Sequence, residues 1–238
     1  MSKIRVAILE DHQSTIDGYL YRLKDLSQFE VVGTATFGVE LEPLLAEHPA
    51  DIVLLDVNVP TAPDNPNPYP ILHVIPDLLQ KHPYLAVLVI SMLTERALIQ
   101  AVMDSGASGY VLKDDSAAIQ QLGSILSSVA SGGVYLSEQV RQKLFKRHSK
   151  EGEPILTQRQ IEALSVCAAY PDESLANLAD KLSVTNSTIR NLLSGAYLRL
   201  GVSHRAAAVA KARQLNLITP TELQRAYSQE RPDAERPS

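Results

Sequence analysis

Ile4-Arg-Val-Ala-Ile-Leu-Glu10-Asp11 is an apolar run that ends in two carboxylates, and the same pattern returns three times. Ile52-Val-Leu-Leu-Asp56 ends in a third carboxylate, Leu85-Ala-Val-Leu-Val-Ile-Ser91 in a hydroxyl, and Tyr110-Val-Leu-Lys113 in an ammonium. Each run is short and rich in β-branched or large aliphatic residues, the composition of a strand buried on both faces. Between them lie segments of helical spacing, such as Ile16, Leu20 and Leu23 on one side of a helix over 15–26. Strands at 4–9, 29–35, 51–57, 85–90 and 109–112 thus alternate with helices at 15–26, 38–48, 71–81, 95–105 and 116–130. The order predicts an α/β fold with a five-stranded parallel sheet wound on both faces, its crossovers right-handed. In such sheets ligands sit beyond the carboxyl ends of the strands, where Glu10, Asp11, Asp56, Ser91 and Lys113 all fall.

A chain of 238 residues, 45% hydrophobic, has material for two cores, so a second domain is expected. No apolar stretch approaches the roughly 20 residues of a membrane helix, and the start lacks a basic-then-apolar leader. The expectation is a cytoplasmic protein with no membrane association. The single cysteine, Cys167, lies in the apolar series Ile161, Leu164, Cys167, Ala168 and reads as a small core residue. The formal charge of −5 is unevenly spread: residues 1–130 carry 7 Lys or Arg against 16 Asp or Glu, while 156–218 carry 7 against 4. An acidic front half suits a cation, and a mildly basic back half suits a polyanion.

Magnesium takes oxygen ligands in an octahedron and keeps several waters, so two or three carboxylates and a carbonyl hold it. Glu10, Asp11 and Asp56 supply the carboxylates, and Asn58 can offer its main-chain carbonyl. A phosphoryl group on Asp56 would find the Lys113 ammonium and the Ser91 hydroxyl for its remaining oxygens. The nucleophile is then a carboxylate, activated by metal and position.

Two segments interrupt the regular pattern. Five prolines between Pro60 and Pro70 exclude a helix or a central strand and predict an exposed loop at the rim of the pocket. Ser131-Gly132-Gly133 breaks the last helix of the front half, and Ser137 opens a polar segment that runs to Lys150 and stops at Glu151-Gly-Glu-Pro154. The stretch 131–155 reads as a helical, then flexible linker, and 219–238 as a disordered tail.

These residues carry a family resemblance. Glu10-Asp11-His12, Asp56 with Pro60 four residues on, Ser91 after its strand, and Gly106-Ala-Ser-Gly-Tyr-Val-Leu-Lys113 resemble the receiver domain of two-component response regulators over residues 1–130. The resemblance implies a doubly wound, flavodoxin-like receiver. It makes Asp56 the phosphoacceptor, Glu10 and Asp11 metal carboxylates, Ser91 and Lys113 phosphate sensors, and Tyr110 the aromatic that changes rotamer on activation. His12 is left as a surface residue.

From Leu156 to residue 218 the pattern is wholly helical. Thr157 caps a first helix, Ser174 a second, and Ser183-Val-Thr185 turns into a third, with Ile189, Leu192, Leu193, Ala196 and Leu200 on one side. Two helices joined by so short a turn predict a helix-turn-helix, a small all-α domain whose later helix enters the major groove of double-stranded DNA. The opposite face carries Ser187, Arg190, Asn191 and Ser194. Arg190 can read guanine and Asn191 adenine, while Thr188, Arg199, His204 and Arg205 suit phosphates. Gly195 is read as loosening this helix. Leu156-Thr-Gln-Arg-Gln-Ile-Glu162, Thr188-Ile-Arg-Asn191 and Leu200-Gly-Val-Ser203 resemble the LuxR-type DNA-binding domain of NarL/FixJ response regulators. That resemblance implies a homodimer on DNA, paired through the helix from Arg205 to Gln214.

The combined expectation is a response-regulator transcription factor, not an enzyme, phosphorylated on Asp56 by a partner sensor histidine kinase with Mg²⁺. Two alternatives stand beside it. One is a phosphorylation-independent regulator whose receiver serves for dimerisation or partner binding. The other is a metal-dependent phosphohydrolase, which Asn58 disfavours because it cannot protonate a leaving group.

Overall fold

The structure, a computed structural model, describes residues 3–145 and 155–218. The polar end of the expected linker, 146–154, and the tail, 219–238, lie outside the described residues.

The front half alternates as the apolar runs predict. Strand β1 is Ile4–Leu9, helix α1 Gln13–Leu23 and β2 Phe29–Ala35; a 3-10 turn at Gly38–Glu40 leads into α2, Leu41–Glu47, and then β3, Ile52–Leu55. A hairpin of β4, Pro60–Ala62, and β5, Asn65–Pro68, comes before α3, Ile71–Lys81. Strand β6 is Ala86–Ser91, α4 Arg96–Asp104 and β7 Gly109–Leu112. The single helix expected over 116–130 is two, α5 at Ser116–Gln120 and α6 at Leu122–Ala130, because Gln121 between them leaves helical geometry at φ −93° and ψ 16°. Asp115 caps α5 by accepting the Ala118 N–H at 3.0 Å.

The main sheet has six strands rather than five. A short strand β8, Tyr135–Leu136, joins it, followed by α7, Glu138–Phe145, and the order is β2-β1-β3-β6-β7-β8. Every pairing in it is parallel. The sixth strand comes from the segment read as linker. Two glycines admit it: Gly132, at φ +82°, turns the chain out of α6, and a Cβ on Gly109 would lie only 2.5 Å from the Tyr135 carbonyl oxygen.

Apolar side chains fill both faces of the sheet. One core joins Val6, Ile8, Ile52, Leu88 and Val111 to α1 and α6; the other joins Leu9, Leu55, Val87 and Val89 to α2, α3 and α4. Each fully buried aliphatic residue contributes about 1.5–3 kcal/mol. The second core does not stop at the receiver: it continues through Leu79, Met103 and Ala107 to Ile189, Leu193 and Ala196 of the back half.

That half comprises α8, Gln158–Ala169; α9, Leu175–Lys181; α10, Asn186–Leu200; and α11, Arg205–Gln214. The three expected caps form: Thr157, in a capping box with Gln160, Ser174 and Thr185 each accept a backbone N–H of the first turn. Cys167 is buried as expected. Gly195 does not loosen α10. Its bare Cα lets Gln160 of α8 come close, since a Cβ there would sit 2.6 Å from Gln160 Nε2.

Candidate functional site

Backbone register brings the chemical residues to one edge. The Asp56 N–H donates to the Leu9 carbonyl at 2.9 Å, and the Lys113 N–H to the Ser91 carbonyl at 2.9 Å, so the residues leaving β1, β3, β6 and β7 are neighbours. Glu10 and Asp56 are 1% and 5% exposed. Their burial as carboxylates requires a counter-charge, which Lys113 provides: its Nζ lies 2.7 Å from Glu10 Oε2 and 2.8 Å from Asp56 Oδ2. Burial opposes the Lys113 ammonium, but the hydrogen bonds it donates to Asp56 and then Glu10 outweigh it and hold its pKa above the usual lysine value. The second oxygen of Asp56 accepts the Val57 N–H at 2.6 Å.

Asp11, next in the chain, is more open, with a quarter of its side chain exposed. Ligand atoms of Glu10, Asp11 and His12 lie within 4.8 Å of one another. His12, read from the sequence as a bystander, bonds Asp11 Oδ1 through Nδ1 at 2.7 Å, and that bond raises its pKa. Asn58 is exposed in the turn after Asp56. Asp56 is outside that group of three and meets Glu10 through the Lys113 ammonium, while the carboxylates of Glu10 and Asp11 are oxygen donors of the kind a hard divalent ion takes.

Ser91 and Tyr110 are fully buried and linked through one residue, Leu93. The Leu93 N–H donates to Ser91 Oγ at 3.1 Å, and the Tyr110 hydroxyl donates to the Leu93 carbonyl at 2.8 Å. Burial raises the phenol's pKa, and a hydrogen bond with Ser91 acts against it. The aromatic therefore points inward, tied to the loop that follows the candidate phosphate-sensing hydroxyl.

The residues expected to read DNA are turned toward the receiver. Arg190 Nη1 bonds the Leu85 carbonyl, and Nη2 bonds that of Tyr84 at 2.9 Å. Asn191 fits over Gly106, where a Cβ would come 2.3 Å from Asn191 Oδ1 and where φ of +107° independently favours glycine. Ser194 is buried on the same helix. The fit is imperfect, for Arg190 Nε and Asn191 Oδ1 are buried with no hydrogen-bond partner among the described residues. Thr188, Arg199 and His204 remain exposed, and the side chain of Ser187 is outside those described.

A family profile described as the response regulator receiver domain matches residues 6–122. The transcriptional regulatory protein DegU of Brevibacillus brevis is 27% identical over 89% of this chain and 93% of its own. The probable transcriptional regulatory protein NarL of Mycobacterium tuberculosis is 28% identical over 91% and 96%. The chain is a response regulator of the NarL/FixJ type. Among solved structures, the RcsB response regulator of Salmonella typhimurium superposes with a TM-score of 0.54 at 24% identity, over 88% of this response regulator and 98% of RcsB. Two RcsB dimers bound to DNA give 0.54 at 23%, over 92% and 100%. At these identities the likeness is one of fold.

Three features of the regulator's site were not read from its sequence. The proline-rich loop is an ordered ribbon rather than irregular: β4 and β5 pair antiparallel, Thr61 Oγ1 donates to the Asn67 carbonyl at 2.8 Å, and Tyr69 seals the base against Gly38. Proline is compatible with a two-stranded ribbon because each strand keeps one edge outside the ladder. Arg205, expected on phosphates, donates instead to the carbonyls of Glu173 and Pro171 at 2.7 and 2.6 Å, closing the turn between α8 and α9. His204 caps α11, its Nδ1 accepting the Ala207 N–H at 3.2 Å. Among the described residues no helix is long and apolar enough to cross a membrane.

Proposed function

We propose that this response regulator accepts a phosphoryl group on Asp56 from a sensor histidine kinase, and that the modified receiver frees α10 to bind double-stranded DNA as a homodimer. The observation that carries the reading is the Lys113 ammonium seated between the buried carboxylates of Glu10 and Asp56 at 2.7 and 2.8 Å. A carboxylate so placed is aimed at a cation, and is neither a cap nor a solvated surface group. An Asp56 oxygen forms the new bond to phosphorus as the donor's bond to phosphorus breaks, and the donor leaves with that electron pair. Lys113 and Ser91 then hold the phosphoryl oxygens. Mg²⁺ held by Glu10, Asp11, Asp56 and the Asn58 carbonyl would neutralise charge on the transferring group.

In this reading residues 1–130 are the receiver, 131–155 the linker, 156–218 the DNA-binding domain and 219–238 a tail, all in the cytoplasm. Arg190 and Asn191 read bases from the face they share with Ser187 and Ser194; Thr188, Arg199 and His204 contact phosphates; Arg205 stays with the turn it closes; and Tyr110 moves with the switch. Transcription regulation is the role that the names of DegU and NarL carry. With Arg190 and Asn191 docked on the receiver, the described conformation has its reading face covered, so DNA and the receiver compete for one surface. Competition of that kind is a population shift between two states.

Intact mass of the full chain after treatment with acetyl phosphate and Mg²⁺ tests the reading. One phosphoryl group should appear on the wild type and none on Asp56→Asn, and DNA capture should rise only in the former. Unmodified wild-type protein that binds DNA equally with and without the donor would overturn it and leave the receiver as a docking module.

A further inference from the structure

The segment that joins the two halves is built into both of them. Gly132 and Gly133 reverse the chain after α6, and Tyr135 and Leu136 then pair with Gly109 and Tyr110 as the sixth strand. The Ser137 N–H continues the ladder to the Tyr110 carbonyl at 3.1 Å. Helix α7 packs back over the receiver with Val140 and Leu144 buried in the same cluster as Tyr110 and Leu112. At its other end the segment touches the DNA-binding half: the Val134 N–H donates to the Ser203 carbonyl at 2.9 Å, in the turn between α10 and α11. Beside that bond is a cavity of about 130 Å³ lined by Val134, Leu136, Arg141, Leu198 and Val202, so the seam is only partly filled.

One polar contact fastens α7 to the loop that would sense phosphate. Lys143 Nζ donates to the Thr94 carbonyl at 3.2 Å. Thr94 follows Leu93, whose N–H is held by Ser91 Oγ and whose carbonyl is held by the Tyr110 hydroxyl. We infer that residues 134–145 are a strap that transmits the receiver's state to the DNA-binding half, with Lys143 on Thr94 as its latch. Resting on Asp56 and Ser91 as the phosphoryl site, the sequence of events is short. When the Ser91 hydroxyl turns to a phosphoryl oxygen, the Leu93 N–H loses its acceptor and the peptides after it shift. The Thr94 carbonyl moves away from Lys143, Tyr110 is freed from Leu93, and α7 lies over a sheet edge that no longer fits it. The Val134–Ser203 bond carries that loosening to the turn ahead of α11. No covalent step is involved.

The latch is exposed, so its loss should speed local opening only about fivefold, the effect of one net hydrogen bond. Amide hydrogen exchange of the full chain reads it. In Lys143→Met without any donor, amides of 139–145 and of 186–200 should exchange about fivefold faster than in the wild type, while Lys143→Arg should match the wild type. Acetyl phosphate with Mg²⁺ should raise exchange of 139–145 in the wild type and add little in Lys143→Met. Equal exchange of 139–145 in Lys143→Met and wild type overturns the latch, as does donor-induced opening of 186–200 with 139–145 unchanged. Should mass show no phosphoryl group on Asp56, the phosphorylation reading fails, and the donor-free comparison still decides whether Lys143 holds the strap.

Discussion

Replacing Lys113 with methionine keeps most of the side chain's volume and removes its charge, so the variant isolates the electrostatics of the acidic pocket. In the wild type one ammonium, itself mostly buried, answers Glu10 at 2.7 Å and Asp56 at 2.8 Å. Without it two carboxylates with almost no solvent contact face each other. Breaking a buried pair on one side costs about 3–5 kcal/mol. At about 3 °C per kcal/mol for a domain of this size, melting at pH 8 should fall by roughly 9–15 °C. The loss should depend on pH with a defined sign. Two buried carboxylates repel most where both are charged and less where acid neutralises one of them, so the deficit should be largest at pH 8 and shrink toward pH 5. Added Mg²⁺ should rescue the variant more than the wild type, because the ion no longer competes with an ammonium. At a hundredfold excess over its dissociation constant it restores about 2.7 kcal/mol. Differential scanning fluorimetry from pH 5 to 8, with and without Mg²⁺, gives all three readouts. A deficit independent of pH and untouched by Mg²⁺ would reduce Lys113 to a packing residue and remove the electrostatic basis of the site.

Other outcomes follow from the same geometry. Arg190→Ala should cost about 1–3 kcal/mol at one base position across a panel of DNA sites, and a uniform loss over all sites would make Arg190 a phosphate contact. Cys167, whose thiol pKa burial pushes up to about 11, should resist iodoacetamide at pH 8 until the protein is unfolded; alkylation of the native chain at the rate of a free thiol would contradict its packing. Deleting Pro63–Pro68 should change the rate of phosphoryl uptake from acetyl phosphate or the binding of a partner kinase, and a variant unaltered in both would leave the ribbon without a role at the site.

Where sequence reading succeeded, the signal was local or periodic. Apolar runs ending in Glu10, Asp56, Ser91 and Lys113 located the strands and the edge where these residues meet, because a buried parallel strand must be apolar and its polar residues must wait for the strand's end. Thr157, Ser174 and Thr185 were recognisable as caps for an equally local reason. What escaped was decided by contacts between distant segments. Nothing near Arg190 announces that two carbonyls at 84 and 85 will hold it. Tyr135 and Leu136 are too few to read as a strand alone, although the glycine at 109 that receives them was in view as part of a motif. Arg205 looked like a phosphate ligand since a surface arginine near a helix start has that chemistry, and only the fold supplies the carbonyls of Pro171 and Glu173.

Among the described residues, Arg190 and Asn191 each keep one polar atom buried and unmatched in the seam between the halves. A buried unmet donor or acceptor costs about 1–3 kcal/mol, so the shut form is held in tension with the groups that DNA would satisfy. Drift in target preference and drift in resting activity are therefore not separable in this molecule. A substitution selected because it suits a new promoter also resets how often the regulator opens unprompted, and a lineage acquiring new binding sites must retune its receiver in step.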